Sequence, residues 1–183
     1  MTIVRFLSYF SGVALSLTAG WTVLPRTLYR EAPQPATFSH VAHTGEKGGM
    51  QCVDCHAFRT NGSFAGIPKL DTCAGCHAEP TGATASEKRF VEQFVKPGKE
   101  PVWQVYSRQP DNAWFPHSIH VTRAKLSCER CHGQHGKSSS LPVYRVNRIS
   151  GYSEHVMAGM RMDDCIACHR QNGLSHSCLD CHK

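Results

Sequence analysis

The chain lacks the material for an ordinary core. Of its 183 residues only 9% are aromatic and 40% hydrophobic. Much of that apolar content falls before Pro25. Beyond Pro25 there is no long hydrophobic run, and there are too few large apolar side chains to fill the interior of a domain of that length. Something other than side chains has to fill it. Runs of like charge are absent too. Lys and Arg are scattered, and no nucleic-acid-binding motif is present, so nucleic acid is excluded as a partner. Cysteine outside a single repeated pattern is also missing.

That pattern is Cys-x-x-Cys-His, and all ten cysteines belong to it. The five copies are Cys52/Cys55/His56, Cys73/Cys76/His77, Cys128/Cys131/His132, Cys165/Cys168/His169 and Cys178/Cys181/His182. The spacing is the attachment signature of haem c. Two thiols add across the vinyl groups, and the next histidine becomes the proximal iron ligand. Zinc ribbons use such pairs in twos and need no histidine after each. A disulfide scaffold would not confine every cysteine to one motif. With 12 histidines in 183 residues, histidine at all five positions by chance is roughly a one-in-a-million event, so the reading is five covalent haem c groups. The formal charge of +6 from 20 basic and 14 acidic residues needs correcting for roughly ten propionates, which brings it to about −4 and gives many Lys and Arg side chains partners.

Phe6 to Leu24 carries no charge, with Arg5 before it and Arg26 and Arg30 after it. At about 1.5 Å per residue this run reaches close to the ~30 Å hydrocarbon core, and Tyr9 and Trp21 suit the two interfaces. A cleaved signal peptide would have a shorter apolar region and a better cleavage site than Leu24-Pro25-Arg26, although Thr18-Ala19-Gly20 offers small residues for one. Residues 1–30 are expected to form a retained single-pass anchor in the cytoplasmic membrane. Because haem c is attached outside that membrane, the remainder is expected to face the periplasm.

A Pro-containing linker, Glu31 to Pro35, comes next. Then Phe38-Ser39-His40-Val41-Ala42-His43 precedes Cys52, and Phe115-Pro116-His117-Ser118-Ile119-His120 precedes Cys128. The two copies suggest a duplication. The expected modules are 31–83 with two haems, a linker helix within 84–100, and 101–183 with three. Thr84-Ala85-Ser86-Glu87 is a capping-box pattern. Phe90, Val91, Phe94 and Val95 share one face of a helix over 85–96, which ends at Pro97-Gly98. That face covers a haem edge or the joint between halves, or else docks a partner. Elsewhere Gly, Pro, Ser and Asn interrupt every pattern. The expected fold is a multihaem cytochrome c, with short helices and ordered coil around haems, almost no sheet, and one N-terminal transmembrane helix.

Seven histidines remain for distal ligation: His40, His43, His117, His120, His135, His155 and His176. Five would saturate every iron and leave no open coordination site, which suits electron transfer and disfavours catalysis. Met157, Met160 and Met162 are weaker alternatives. The His-x-x-His followed by Cys-x-x-Cys-His resembles class III cytochromes, the c3 and c7 group. That resemblance implies His40 for the haem at Cys52/Cys55, His43 for Cys73/Cys76, His117 for Cys128/Cys131 and His120 for Cys165/Cys168. His155 is favoured for the fifth haem, with His176 and His135 as further candidates.

An N-terminal anchor, a haem region of this size and the stretch from Pro101-Val102-Trp103 to His120 together resemble the multihaem cytochrome subunits of quinone-linked membrane complexes. The menaquinone reductase complex of sulfate-reducing bacteria is the nearer likeness, and the pentahaem subunit of alternative complex III the other. The resemblance implies a molybdopterin-oxidoreductase-like subunit, an iron–sulfur subunit and a polytopic quinone-binding membrane subunit as partners, with a soluble cytochrome c3 as electron donor. It also implies six haems where only five motifs exist, so spare histidines would hold a sixth haem non-covalently. The expected role is an electron-transfer subunit of a menaquinone oxidoreductase complex, not catalytic by itself. The alternatives are a quinol-oxidising subunit passing electrons outward, a soluble pentahaem shuttle, a small multihaem reductase, or a membrane-anchored tetrahaem quinol dehydrogenase. The last carries a Met near its first motif, where this chain has Ala57-Phe58-Arg59.

Overall fold

The computed structural model describes residues 2–106, 109, 111–151, 153 and 160–182. It opens with α1 (Thr2–Thr22), an apolar helix none of which is buried against the rest of the chain. Its Ile3–Thr22 portion is long and apolar enough to cross a membrane. Hydroxyls of Ser8, Thr18 and Thr22 are returned to the carbonyl four residues back, so they cost little in an apolar setting. A short helix α2 (Leu24–Leu28), with Pro25 in its first turn where no N–H is needed, continues the direction.

The Pro-containing linker is not free. Strand β1 (Tyr29–Ala32) pairs antiparallel with β2 (Tyr144–Asn147), in the register Tyr29 to Asn147 through Ala32 to Tyr144. β1 crosses the boundary expected at residue 30, and Ala32 is one of four buried apolar residues among those described. Beyond the strand the Gln34 amide imitates a ladder rung. Its Nε2 donates to the Gln104 carbonyl and its Oε1 accepts from the Gln104 N–H, at 3.1 and 3.0 Å.

Four short helices come next: α3 (His40–Thr44), α4 (Cys52–Cys55), α5 (Leu70–His77) and α6 (Ala85–Phe90). Thr84 caps α6 through its hydroxyl, as the sequence predicts. The helix expected over 85–96 changes pitch halfway. Val91–Val95 is a π turn, with Lys96 N–H donating to the Val91 carbonyl. The wider turn brings Val91 and Phe94 inward together while the Phe90 ring meets that of Phe94 at a tilt, centroids 5.5 Å apart, and the turn packs against α5. A second π turn spans Ser118–Arg123. It is followed by α7 (Glu129–His132), a 3₁₀ turn at His135–Lys137, β2, α8 (Met162–Gln171) and α9 (Cys178–Cys181).

Among the described residues the buried apolar core is Ala32, Leu70, Val91 and Phe94. The polypeptide exposes 13522 Å², against roughly 8,800 Å² for a folded monomer of this mass. The bare α1 explains part of the excess. The remainder reflects a chain whose side chains do not close upon one another, as its composition requires.

Candidate haem sites

Each attachment motif sits on or against a short helix, and a carboxylate caps three of these helices. In α4 and α9 the third residue of the motif is Asp54 or Asp180, whose carboxylate accepts the N–H of Gln51 or Ser177 at 2.7 and 3.1 Å. Asp164, just before Cys165, does the same for Arg161 at 3.1 Å. These reciprocal caps stabilise helices too short to stand alone. No two of the ten cysteines are joined in a disulfide.

Proximal histidines bind metal well when their second nitrogen is held. Nδ1 of His56 lies 2.9 Å from the Gly66 carbonyl, that of His169 2.7 Å from the Ser175 carbonyl, and that of His182 3.1 Å from the Asn112 carbonyl. Nδ1 of His77 lies 2.9 Å from a carboxylate oxygen of Glu87. In each case Nε2 is left for iron.

The two Phe-x-His-x-x-His segments fold alike. Phe38 stacks on His43 at 4.6 Å and meets His40 edge-on at 4.9 Å. Phe115 stacks on His120 at 4.4 Å and meets His117 edge-on at 4.9 Å. Nδ1 of His43 lies 2.8 Å from the Ser39 carbonyl, and Nδ1 of His120 lies 3.0 Å from the Pro116 carbonyl. Gly48 permits the turn after α3, since a Cβ there would lie 2.0 Å from the His43 carbonyl oxygen.

Three ring pairs then face one another across the motifs. Ring centroids are 6.0 Å apart for His43 and His77, 6.4 Å for His117 and His132, and 6.1 Å for His120 and His169. An iron–nitrogen bond of about 2.0–2.1 Å, as for His on other metals, and about 1.1 Å from nitrogen to centroid, taken on both sides, give roughly 6.3 Å. The pairs fit one iron held between two imidazoles.

The first motif is arranged differently. His40 and His135 lie together, centroids 4.9 Å apart, and both stand in the field of His56. His40 is further fixed by Ser138 Oγ at 3.2 Å from its Nδ1, while the Val41 N–H donates to the Ser138 carbonyl. His135 is thus brought to the same motif as His40. His176 is exposed beside Leu174, and His155 lies outside the described residues.

Burial first, and then neighbouring histidines, lowers the imidazoles most concerned. His40 falls to about 4, with His135, His56 and His43 adding to burial. His117 is lowered by burial, then by His132 and His120; His132 by burial, then by His135 and His56. In all three the shift favours the neutral imidazole, the form that binds iron. Among the described residues no group of three or more His, Cys, Asp and Glu is arranged to hold a bare metal ion.

Neighbouring thiols report which motifs adjoin. Burial raises several of them first, and thiols of other motifs add to it, after Asp54 in the case of Cys55. Cys55 feels Cys76, Cys73 feels Cys55, Cys128 feels Cys52, Cys131 feels Cys168, and Cys165 feels both Cys131 and Cys181. Phe64 supplies a ring link between two of the sites. It stacks on His117 at 4.2 Å and lies 6.4 Å from His56. The hairpin-like loop 57–65 that carries Phe64 is closed by Arg59 N–H to the Ser63 carbonyl and Ala65 N–H to the Ala57 carbonyl. Phe64, Trp114, Phe115 and His117 bound a cleft of about 360 Å³.

Sequence reasoning missed Glu87, Phe64 and Gly66. Glu87 was absorbed by the capping-box pattern. Thr84 caps its N–H at 3.3 Å, but its carboxylate turns instead to His77, Thr81 and Gly82. Gly66, at φ +78°, was the one of the three with a usable signal, a glycine ten residues after a candidate ligand.

Residues 42–144 match the family described as Cytochrome c3. Over 190 aligned positions the chain is 37% identical to the menaquinone reductase, multiheme cytochrome c subunit, of Nitratidesulfovibrio vulgaris strain Hildenborough. That alignment covers 96% of this chain and 89% of that protein.

Proposed function

This chain belongs to the cytochrome c3 family, whose members carry covalent c-type haems, and from that membership we propose that it is a membrane-anchored relay between a soluble c3-like cytochrome and a menaquinone-reductase complex. When bound, haem supplies a one-electron ferric/ferrous couple at each site. The chain's own residues decide how many sites exist and how they succeed one another.

The observation that carries the reading is the way each His-x-x-His segment serves two motifs. His43 faces His77 while His40, three residues earlier, stands near His56. His117 faces His132 while His120 faces His169. Phe64 joins the two segments between His56 and His117, and Cys165 adjoins Cys181. These contacts support a linear order in which Cys73/Cys76 comes first, then Cys52/Cys55, Cys128/Cys131, Cys165/Cys168 and Cys178/Cys181. Paired imidazoles leave no open coordination site at the second, third and fourth motifs, which favours relay over substrate chemistry. His40 or His135 completes the first site, and His155 or His176 the fifth. A sixth, non-covalent haem would have to use whichever of these histidines remain.

The apolar helix α1 acts as the anchor, with the haem region in the periplasm. The partners are a molybdopterin-oxidoreductase-like subunit, an iron–sulfur subunit and a polytopic quinone-binding subunit. Electrons run from the soluble cytochrome towards menaquinone. The test is to solubilise native membranes, isolate the chain, identify what accompanies it, and monitor reduction of a menaquinone analogue by a reduced c3-type cytochrome. Co-purification with a quinone-binding subunit and turnover in that direction is the expected result. Recovery of the chain alone, or oxidation of quinol only, overturns the proposal.

A further inference from the structure

Four candidate proximal histidines have a described acceptor at Nδ1, and three of those acceptors are neutral backbone carbonyls. His77 is different, because its acceptor is the carboxylate of Glu87 at 2.9 Å. We propose that Glu87 is a potential-setting residue, holding the haem at Cys73/Cys76 below the potential it would have with a neutral group behind His77. This rests on the reading of His77 as an iron ligand.

The carboxylate is built in rather than passing by. Oε1 accepts from the Thr81 N–H and from the Thr81 hydroxyl, each at 2.8 Å, and Oε2 accepts from the Gly82 N–H at 2.8 Å. Gly82 has to lack a side chain for this, since a Cβ would sit 2.8 Å from Oε2. The Glu87 N–H is fixed by Thr84. The His77 and Glu87 side chains are 23% and 14% exposed, so water screens the pair little. A full negative charge on the carboxylate facing Nδ1 draws the Nδ1 proton, makes Nε2 a stronger donor, and favours ferric over ferrous iron. Reduction adds one electron to iron and leaves the proton on Nδ1. A carbonyl or amide offers the same hydrogen bond without the charge and with roughly half the strength. The site stands at one end of the proposed order, so the tuning acts where electrons enter or leave the chain.

The experiment is Glu87→Gln in the full-length holoprotein, made in a host that attaches haem c. Covalent haem is counted by pyridine haemochrome, and the haems are titrated electrochemically with electron paramagnetic resonance. The expected result is a full haem complement with a single midpoint potential raised. A change of about tenfold in that site's electron affinity is about 59 mV for one electron, while the other potentials stay in place. Potentials that all stay put, or all move together, overturn the proposal. Should the variant lose haem, the unaltered protein decides. Its haem at Cys73/Cys76 is expected to be reduced at a lower potential than the haem at Cys165/Cys168, whose His169 has a neutral carbonyl behind it, and the reverse order overturns the idea. A wild-type protein without haem at Cys73/Cys76 would instead sink the ligand assignment, a distinct outcome.

Discussion

Replacing His117 with alanine tests the pairing of imidazoles at its clearest point. The His117 and His132 rings are 6.4 Å apart and within 6° of parallel, and each belongs to one such pair. Phe64, stacked on His117 at 4.2 Å, can lean into the freed space but offers iron no donor atom. The variant should therefore open one iron and leave the others six-coordinate. With five attachment motifs in the chain, about one fifth of the haem turns high-spin. Carbon monoxide then binds the reduced variant at about one molecule per polypeptide, measured by optical titration alongside a pyridine haemochrome count. The electron paramagnetic resonance spectrum gains one high-spin component and loses one low-spin component. A variant with full haem content that binds no carbon monoxide and stays wholly low-spin refutes the reasoning, because another group would then complete that site. Uptake of two molecules refutes it as well, since His117 would be supporting a neighbouring iron.

Phe94→Ala removes one of the few buried large side chains and should cost about 3 kcal/mol, the low end for such a truncation because Phe94 keeps 8% of its surface exposed. Denaturant unfolding of the holoprotein with unchanged haem content checks it. Gly48→Ala drives a methyl into the His43 carbonyl, 2.0 Å from the ideal Cβ position. It should displace α3 and produce a high-spin fraction at the Cys73/Cys76 site, read by electron paramagnetic resonance of the holoprotein. Intact-mass measurement of the mature holoprotein is expected to include α1, and the protein should stay in membranes through an alkaline carbonate wash. A mass beginning after Ala19 or Gly20, with the protein in the periplasmic fraction, refutes retention.

The ten cysteines, the scarcity of core and the apolar helix were readable because each is a composition or spacing rule that local chemistry enforces. The folding of the two Phe-x-His-x-x-His segments is legible for the same reason. Phe and the second His are five residues apart, and stacking them needs only one helical turn between. Other features depended on distant residues. Nothing local says that Tyr29–Ala32 finds Tyr144–Asn147, because a Pro-containing stretch of mixed polarity reads as linker. The π turn at Val91–Val95 arises from packing against α5, and an ideal helical period cannot express it. Glu87 was hidden by a local pattern that is itself real, since its N–H is capped by Thr84 while its carboxylate is used elsewhere. His135 lacks a spacing signal altogether. Only the approach of the 3₁₀ turn at His135–Lys137 to α3 brings it beside His40.

The β1–β2 ladder begins at the residue after α2 ends, and the Arg148 N–H donates to the Leu28 carbonyl at 2.7 Å. A long disordered leash would let the redox-active part roam laterally and tumble above the bilayer. Under the proposed anchoring by α1, a ladder closed this near the lipid would make it a post of set height and tilt. Carriers must then come to the post, so collision frequency, and not any swinging of the protein, would limit how fast it is charged.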